Sequence, residues 1–96
     1  MKEITNRKQA SKFLKISKKK IFDFHKYNNG DWSYEDEDAY CHLFRKIDGK
    51  YVELTKGIDA YDVYSCDDGN WEYYDKNWRW SLFDNNNKLI ASNKQL

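Results

Sequence analysis

The chain has 96 residues, of which 40% are hydrophobic and 34% charged, and it carries four Trp, eight Tyr and five Phe. That composition excludes a disordered chain and supplies material for one core, largely aromatic, but not for two. No apolar run approaches the roughly 20 residues that cross a bilayer, no secretory h-region follows the start, and two cysteines, Cys41 and Cys66, outside a secretory context lead us to expect a reduced cytoplasmic setting with no membrane contact.

The formal net charge of +1 conceals a division into blocks. Residues 1–29 hold nine bases against Glu3 and Asp23, a balance of +7. Residues 30–75 hold 13 acids against Arg45, Lys46, Lys50 and Lys56, a balance of −9, and residues 76–96 return to +3. Local charge, rather than the sum, decides what each surface can approach.

In the head, Ala10, Phe13 and Leu14, then Ile21, Phe24 and His25, each fall at i, i+3, i+4, the spacing of a helix face. Thr5 is placed to cap a first helix over 6–14 and Ser17 a second over 18–27, which Asn28-Asn29-Gly30 stops. Residues 31–38 fit either a loop or the start of a short acidic helix capped by Ser33. From Tyr40 the period becomes two: Cys41, Leu43, Arg45 and Ile47 share one face and Tyr40, His42, Phe44 and Lys46 the other. Asp48-Gly49 turns this strand into a return over 50–55. A strand at 60–66, the turn Asp67-Asp68-Gly69-Asn70 and a partner at 71–75 follow. A last hairpin joins 78–83 to 88–92 through Asn85-Asn86-Asn87.

The expected fold class is α+β, with two short N-terminal helices packed on an antiparallel meander of about five strands. The expected organisation is a single domain over 1–96, with a basic helical head at 1–29 and a mainly antiparallel sheet at 30–96. The turn-plus-strand segments Asp48-Gly49-Lys50-Tyr51, Asp68-Gly69-Asn70-Trp71 and Asn86-Asn87-Lys88-Leu89 are irregularly spaced, and we read them as hairpin punctuation and not as a repeat.

Two regions point to binding. Lys18, Lys19 and Lys20 would sit in the first turn of the second helix, where each exposed cation costs about 0.3–1 kcal/mol against the macrodipole, so an anion such as phosphate would offset them. Thr5, Ala10, Leu14, Ile16, Ser17 and Ile21 stand as in a helix-turn-helix of the excisionase and MerR-like type, which residues 4–27 resemble. Lys15 replaces the usual turn glycine and Gln9 the usual acid. The resemblance implies a DNA contact through Ser17, Lys18, Lys19 and Lys20.

The acidic middle opposes that reading. Glu35, Asp36, Glu37, Asp38, Asp67, Asp68 and Glu72 are interleaved with Trp32, Tyr34, Tyr64, Trp71 and Tyr73, a pattern suited to a protein that imitates nucleic acid in another protein's basic groove. His25, Cys41, His42 and Cys66 include zinc-type ligands, but Cys41 and His42 point to opposite faces of a strand and no C-x-x-C or H-x-x-x-H spacing occurs, so no metal or other cofactor is expected. The same divergence separates Cys41 from His42 as a nucleophile and base, and no catalytic motif is present. The sequence therefore leads us to expect a non-enzymatic protein-binding protein that docks on a host protein with a basic groove. In general character it resembles small accessory proteins of phages and mobile elements, including anti-CRISPR and other anti-defence inhibitors, a likeness that carries no residue across. The alternative is a small DNA-binding transcriptional regulator, and a homodimer is a further possibility.

Overall fold

The computed structural model describes residues 3–94. One α-helix, α1 (Arg7–Leu14), and a single 3-10 turn at Lys18–Lys20 precede eight strands. These form two four-stranded antiparallel meanders. The first sheet is β1 (Phe22–Lys26), β2 (Trp32–Glu35), β3 (Cys41–Ile47) and β4 (Lys50–Glu53); the second is β5 (Asp62–Ser65), β6 (Trp71–Tyr74), β7 (Trp80–Phe83) and β8 (Leu89–Ser92). The expectation of two helices on a five-stranded meander is thus corrected to a mostly β fold. Among the described residues no helix is long and apolar enough to cross a membrane.

The second helix expected over 18–27 does not form, for a local reason. Asp23 adopts φ 48°, and the pairing of β1 with β2 slips between Phe22 and His25. That bulge puts buried Ile21 and half-buried Phe24 on the covered side three residues apart, which imitates a helical period in a strand. The residues at 31–38 also resolve differently from expectation, as β2 followed by a tight turn. Helix α1 is capped by Asn6 and not Thr5: the Asn6 side chain accepts from Gln9 N at 2.9 Å, while Gln9 Oε1 accepts from Thr5 N at 2.6 Å.

The two sheets are copies of one unit. From His25 to Phe44 each residue has a structural counterpart 39 positions on, so Trp32 matches Trp71 and Phe44 matches Phe83, while the bulge at Asp23 shifts Phe22 into the ladder position of Asp62. Left-handed residues recur in register: Gly30 and Gly69 (φ 98° and 91°), Ala39 and Trp78 (68° and 59°), Asp48 and Asn87 (53° and 63°). Asp36 Oδ1 accepts from the amides of Asp38 and Tyr40, and Asp75 Oδ1 from those of Asn77 and Arg79. The cross-strand stack recurs as well, with Trp32–Phe44 centroids 4.3 Å apart and Trp71–Phe83 centroids 4.4 Å apart, each near-parallel. Of the segments read above as irregular punctuation, 48–51 and 86–89 belong to the same turn of the unit and 68–71 to another, which makes their spacing uneven in a chain that is a tandem repeat.

Both units present their Trp–Phe stack in the same direction. In the first sheet Trp32, Tyr34, Phe44 and Tyr51 are covered by α1, whose Phe13 meets Trp32, Phe44 and Tyr51 edge-on at about 6 Å. The reverse face of that sheet contributes Leu43, fully buried, to the cluster that holds Val63, Trp71 and Tyr73 of the second sheet. The layers therefore run helix, first sheet, second sheet.

A buried polar latch fixes the two sheets. Asp31 Oδ2 accepts from Arg45 Nη2 at 2.8 Å and from Ser65 Oγ at 2.6 Å, while Asn29 Nδ2 donates to Ser65 Oγ at 2.7 Å and to Cys66 O at 2.9 Å. Because the Asp31 side chain is 5% exposed and Arg45 13%, Arg45→Ala strands a carboxylate in the core and should destabilise the protein by about 3–5 kcal/mol in urea denaturation. Arg79→Ala, which removes the more exposed pair with Asp75, should leave the midpoint nearly unchanged.

Candidate functional site

The two meanders are oriented alike. The β1–β2 and β5–β6 turns lie at one end, where Asn29 reaches Ser65 and where Gly30, Arg45, Gly69 and Asn85 line a common hollow. The β2–β3 and β6–β7 turns lie at the opposite end, where Tyr40 shares a smaller hollow with Asp75, Lys76 and Arg79. This geometry divides the acids that the sequence grouped together. Glu35, Asp36, Glu37 and Asp38 belong to the second end, while Asp67 and Asp68, both exposed, belong to the first.

Strand alternation divides the aromatics too. Trp32 and Trp71 are 0% and 1% exposed, and Tyr34 and Tyr73 are also buried. These four expected anchors form the cores and present no surface to a partner. Tyr64 is exposed and Glu72 half-buried, on the reverse of the second sheet. Ser17 caps the 3-10 turn through Lys19 N, and Lys18, Lys19 and Lys20 are exposed on it. With Phe22–Lys26 a strand, no recognition helix carries them, and Lys20 leans towards Glu37 at 3.8 Å.

A cleft of about 380 Å³ lies between the edge strands β1 and β5. Three carboxylates, Asp23, Glu35 and Asp62, line it together with Tyr27, Tyr61 and Tyr64. Asp23 and Asp62 align in the repeat, as do His25 and Tyr64, with the bulge at Asp23 offsetting the first pair by one ladder position, so duplication contributes to both walls. Among the described residues none of the three carboxylates forms an ion pair. The Cys41 thiol at the floor reports the resulting field: burial first, then Asp62, Glu35, Asp36 and Asp23, push its pKa up to about 12. A thiol so held is protonated and a poor nucleophile at neutral pH. The Cys66 pKa is likewise raised, by burial and then by Asp68, Glu72 and Asp67. Among the described residues no three His, Cys, Asp or Glu side chains gather in a way that could hold a metal ion. What the cleft can do is accept a cationic group among acids and tyrosine rings.

Sequence reasoning named Glu35 and Tyr64 here but missed Asp23 and Tyr61. The repeat was the signal that would have found the Asp23–Asp62 pair. On the reverse face of the second sheet Tyr74, Trp80, Leu82 and Ala91 alternate outward, half-buried, beside Glu72. Trp78, 62% exposed, stands in the β6–β7 turn at 6.1 Å from Tyr74.

The acidic β2–β3 turn is anchored by His42. Its Nδ1 lies 2.8 Å from Glu53 Oε2 and its Nε2 2.7 Å from Asp36 Oδ2, and its ring stacks on Tyr34 at 4.8 Å. With acceptors on both nitrogens, both must donate. The hydrogen bond to Glu53, opposed by burial and aided by Asp36, raises the imidazole pKa. Burial acts to raise the Asp36 and Glu53 pKa values, but the bonds from His42 and other donors outweigh it and lower both. Burial together with Glu53 and Asp36 pushes the Tyr34 phenol up to about 12.

No protein-family model, curated protein or solved structure matches the chain.

The pH dependence of the His42 cluster follows by linkage. A raised imidazole pKa gives stability that is complete below the unfolded value of 6.5 and lost as pH rises through the folded value. Lowered carboxylate pKa values give stability that is complete above the unfolded 3.8 and 4.5 and lost on acidification. The contribution is therefore greatest between about pH 4.5 and 6.5. His42→Gln should lower the melting temperature most in that window and progressively less towards pH 9; a decrement independent of pH would contradict the assignment.

Proposed function

We propose that the chain is a non-enzymatic protein-binding protein whose recognition site is the cleft between β1 and β5, and that its partner is a protein with a basic surface. The observation that carries this reading is the set of three carboxylates, Asp23, Glu35 and Asp62, left without a cation in a concave wall of tyrosines. Lys and Arg side chains of a partner would bring the missing charge, and the rings would cover their aliphatic stems. Exposed Asp38 and Asp59 lie towards the same end and extend the negative field beyond the cleft.

The finer reading is that the partner is a nucleic-acid-binding host protein whose groove the cleft occupies, as in phage or mobile-element inhibitors directed at CRISPR or other defence nucleases. Support for this is electrostatic: a groove built for phosphate offers a row of cations. The acids imitate phosphate only at the β2–β3 end of the molecule, so the mimic is a short one. DNA binding by the lysines at 18–20 has less support, because they ride on one 3-10 turn and Lys20 is drawn towards Glu37.

Titration with a nona-arginine peptide and, separately, with duplex DNA tests this reading. Peptide affinity should fall as salt rises, because screening weakens exposed charge pairs, and combined Glu35→Gln and Asp62→Asn changes should weaken it about tenfold or more. Asp67→Asn with Asp68→Asn, at the opposite end, should have little effect. Duplex binding that drops steeply between about 50 and 200 mM salt and is abolished by Lys19→Glu would overturn the proposal in favour of the regulator.

A further inference from the structure

The repeat shows what the reverse face of each sheet is for. In the first sheet that face carries Ser33, Cys41 and Leu43, and it is buried against the second sheet, with Leu43 fully inaccessible. The counterparts in the second sheet are Glu72, Trp80 and Leu82, joined by Tyr74 and Ala91. No described element covers them. Where the first unit has Cys41, the second has a tryptophan, so the uncovered copy of the docking face is the more apolar one.

We propose that this face is covered by the same face of a second copy of the chain, in a closed two-fold dimer. Two observations select that occupant. Helix α1 already caps the Trp32–Phe44 face of the first sheet, so a second copy cannot stack there and each chain has one open end. A single open end per chain closes as a dimer and does not propagate as a filament. Charge on the face is also segregated: Asp62 and Glu72 lie on β5 and β6, whereas Trp80, Leu82 and Ala91 lie on β7 and β8. A two-fold axis near β7 joins the apolar halves and carries the acidic halves apart.

An axis near β7 keeps the β5 edge of that face, with Asp62 and Tyr64 of the cleft, outside the contact, so the dimer stands or falls separately from the binding reading above. Sedimentation from micromolar to near-millimolar protein tests it. The wild-type chain should reach twice its 11.7 kDa mass, with Trp emission shifting to the blue as Trp80 is covered. Leu82→Lys and, independently, Ala91→Lys should raise the dissociation constant at least about 100-fold, since each places an unpaired charge in the contact twice. Near-UV circular dichroism should remain that of the folded chain. Val52→Lys, at an exposed apolar position of the first sheet, should leave the dimer intact. A wild-type chain that stays monomeric throughout, or a dimer that survives Leu82→Lys and Ala91→Lys in folded protein, would overturn the proposal.

Discussion

The paired Trp–Phe stack sets the terms for everything else in this molecule. A four-stranded sheet with indole and phenyl rings on one face and aliphatic residues on the other is unstable until both faces are covered, because each buried aromatic contributes large apolar area and each uncovered one forfeits it. Two such sheets carry four faces. One is closed by α1, two are closed against each other, and the fourth is left on the outside of the second sheet. The polarity of the stack follows from the repeat: two copies of one unit, joined in the same sense, put unlike faces together and leave unlike ends. Phe13 of α1 is the device that makes the ends different.

The same alternation decides where charge is effective. Along the sequence the acids form one block, but strands and turns deal them out to both ends and both faces. Several are consumed locally: Asp31 by Arg45 and Ser65, Asp36 and Glu53 by His42, Asp75 by its own turn and Arg79. The carboxylates left without an ion pair in a concave place are, among the described residues, Asp23, Glu35 and Asp62, from three different strands. All three line the same cleft as the Cys41 thiol, whose pKa burial first and then their charges raise. That residual charge is what a partner can meet, since a paired acid has little left to offer.

The hairpins were legible because their signals are local. Asp48-Gly49 between alternating segments specified β3 and β4, and the triple asparagine specified the last turn. The start of the sheet was not legible, because the bulge at Asp23 shifts the covered positions of β1 from a period of two to a spacing of three, which a helix shares. The duplication was hidden for another reason. Seven of the 23 residue pairs between 22–44 and 61–83 are identical (Asp23, Gly30, Trp32, Tyr34, Asp36, Leu43 and Phe44, with their counterparts), but they are spread through the unit and form no contiguous block. Gly-x-Trp-x-Tyr-x-Asp at 30–36 and again at 69–75 was the readable trace. Of the candidate site, Glu35 and Tyr64 were legible as parts of an acidic aromatic stretch. The burial of Trp32, Tyr34, Trp71 and Tyr73 was not, since a tryptophan between acids reads alike whether its strand face points inward or outward.

The central claim is that the two sheets stack with the same polarity, so that Leu43 of the first meets the aromatic face of the second. A methyl–aromatic NOESY spectrum of the wild-type chain measures this directly. Cross-peaks should join the Leu43 methyl groups to the ring cluster around Trp71 and Tyr73, and join the Phe13 ring to Trp32, with none between Leu43 and Phe13. Leu43 cross-peaks to the Phe13 ring of the helix, or a Trp71 ring with no partner from the first sheet, would contradict it.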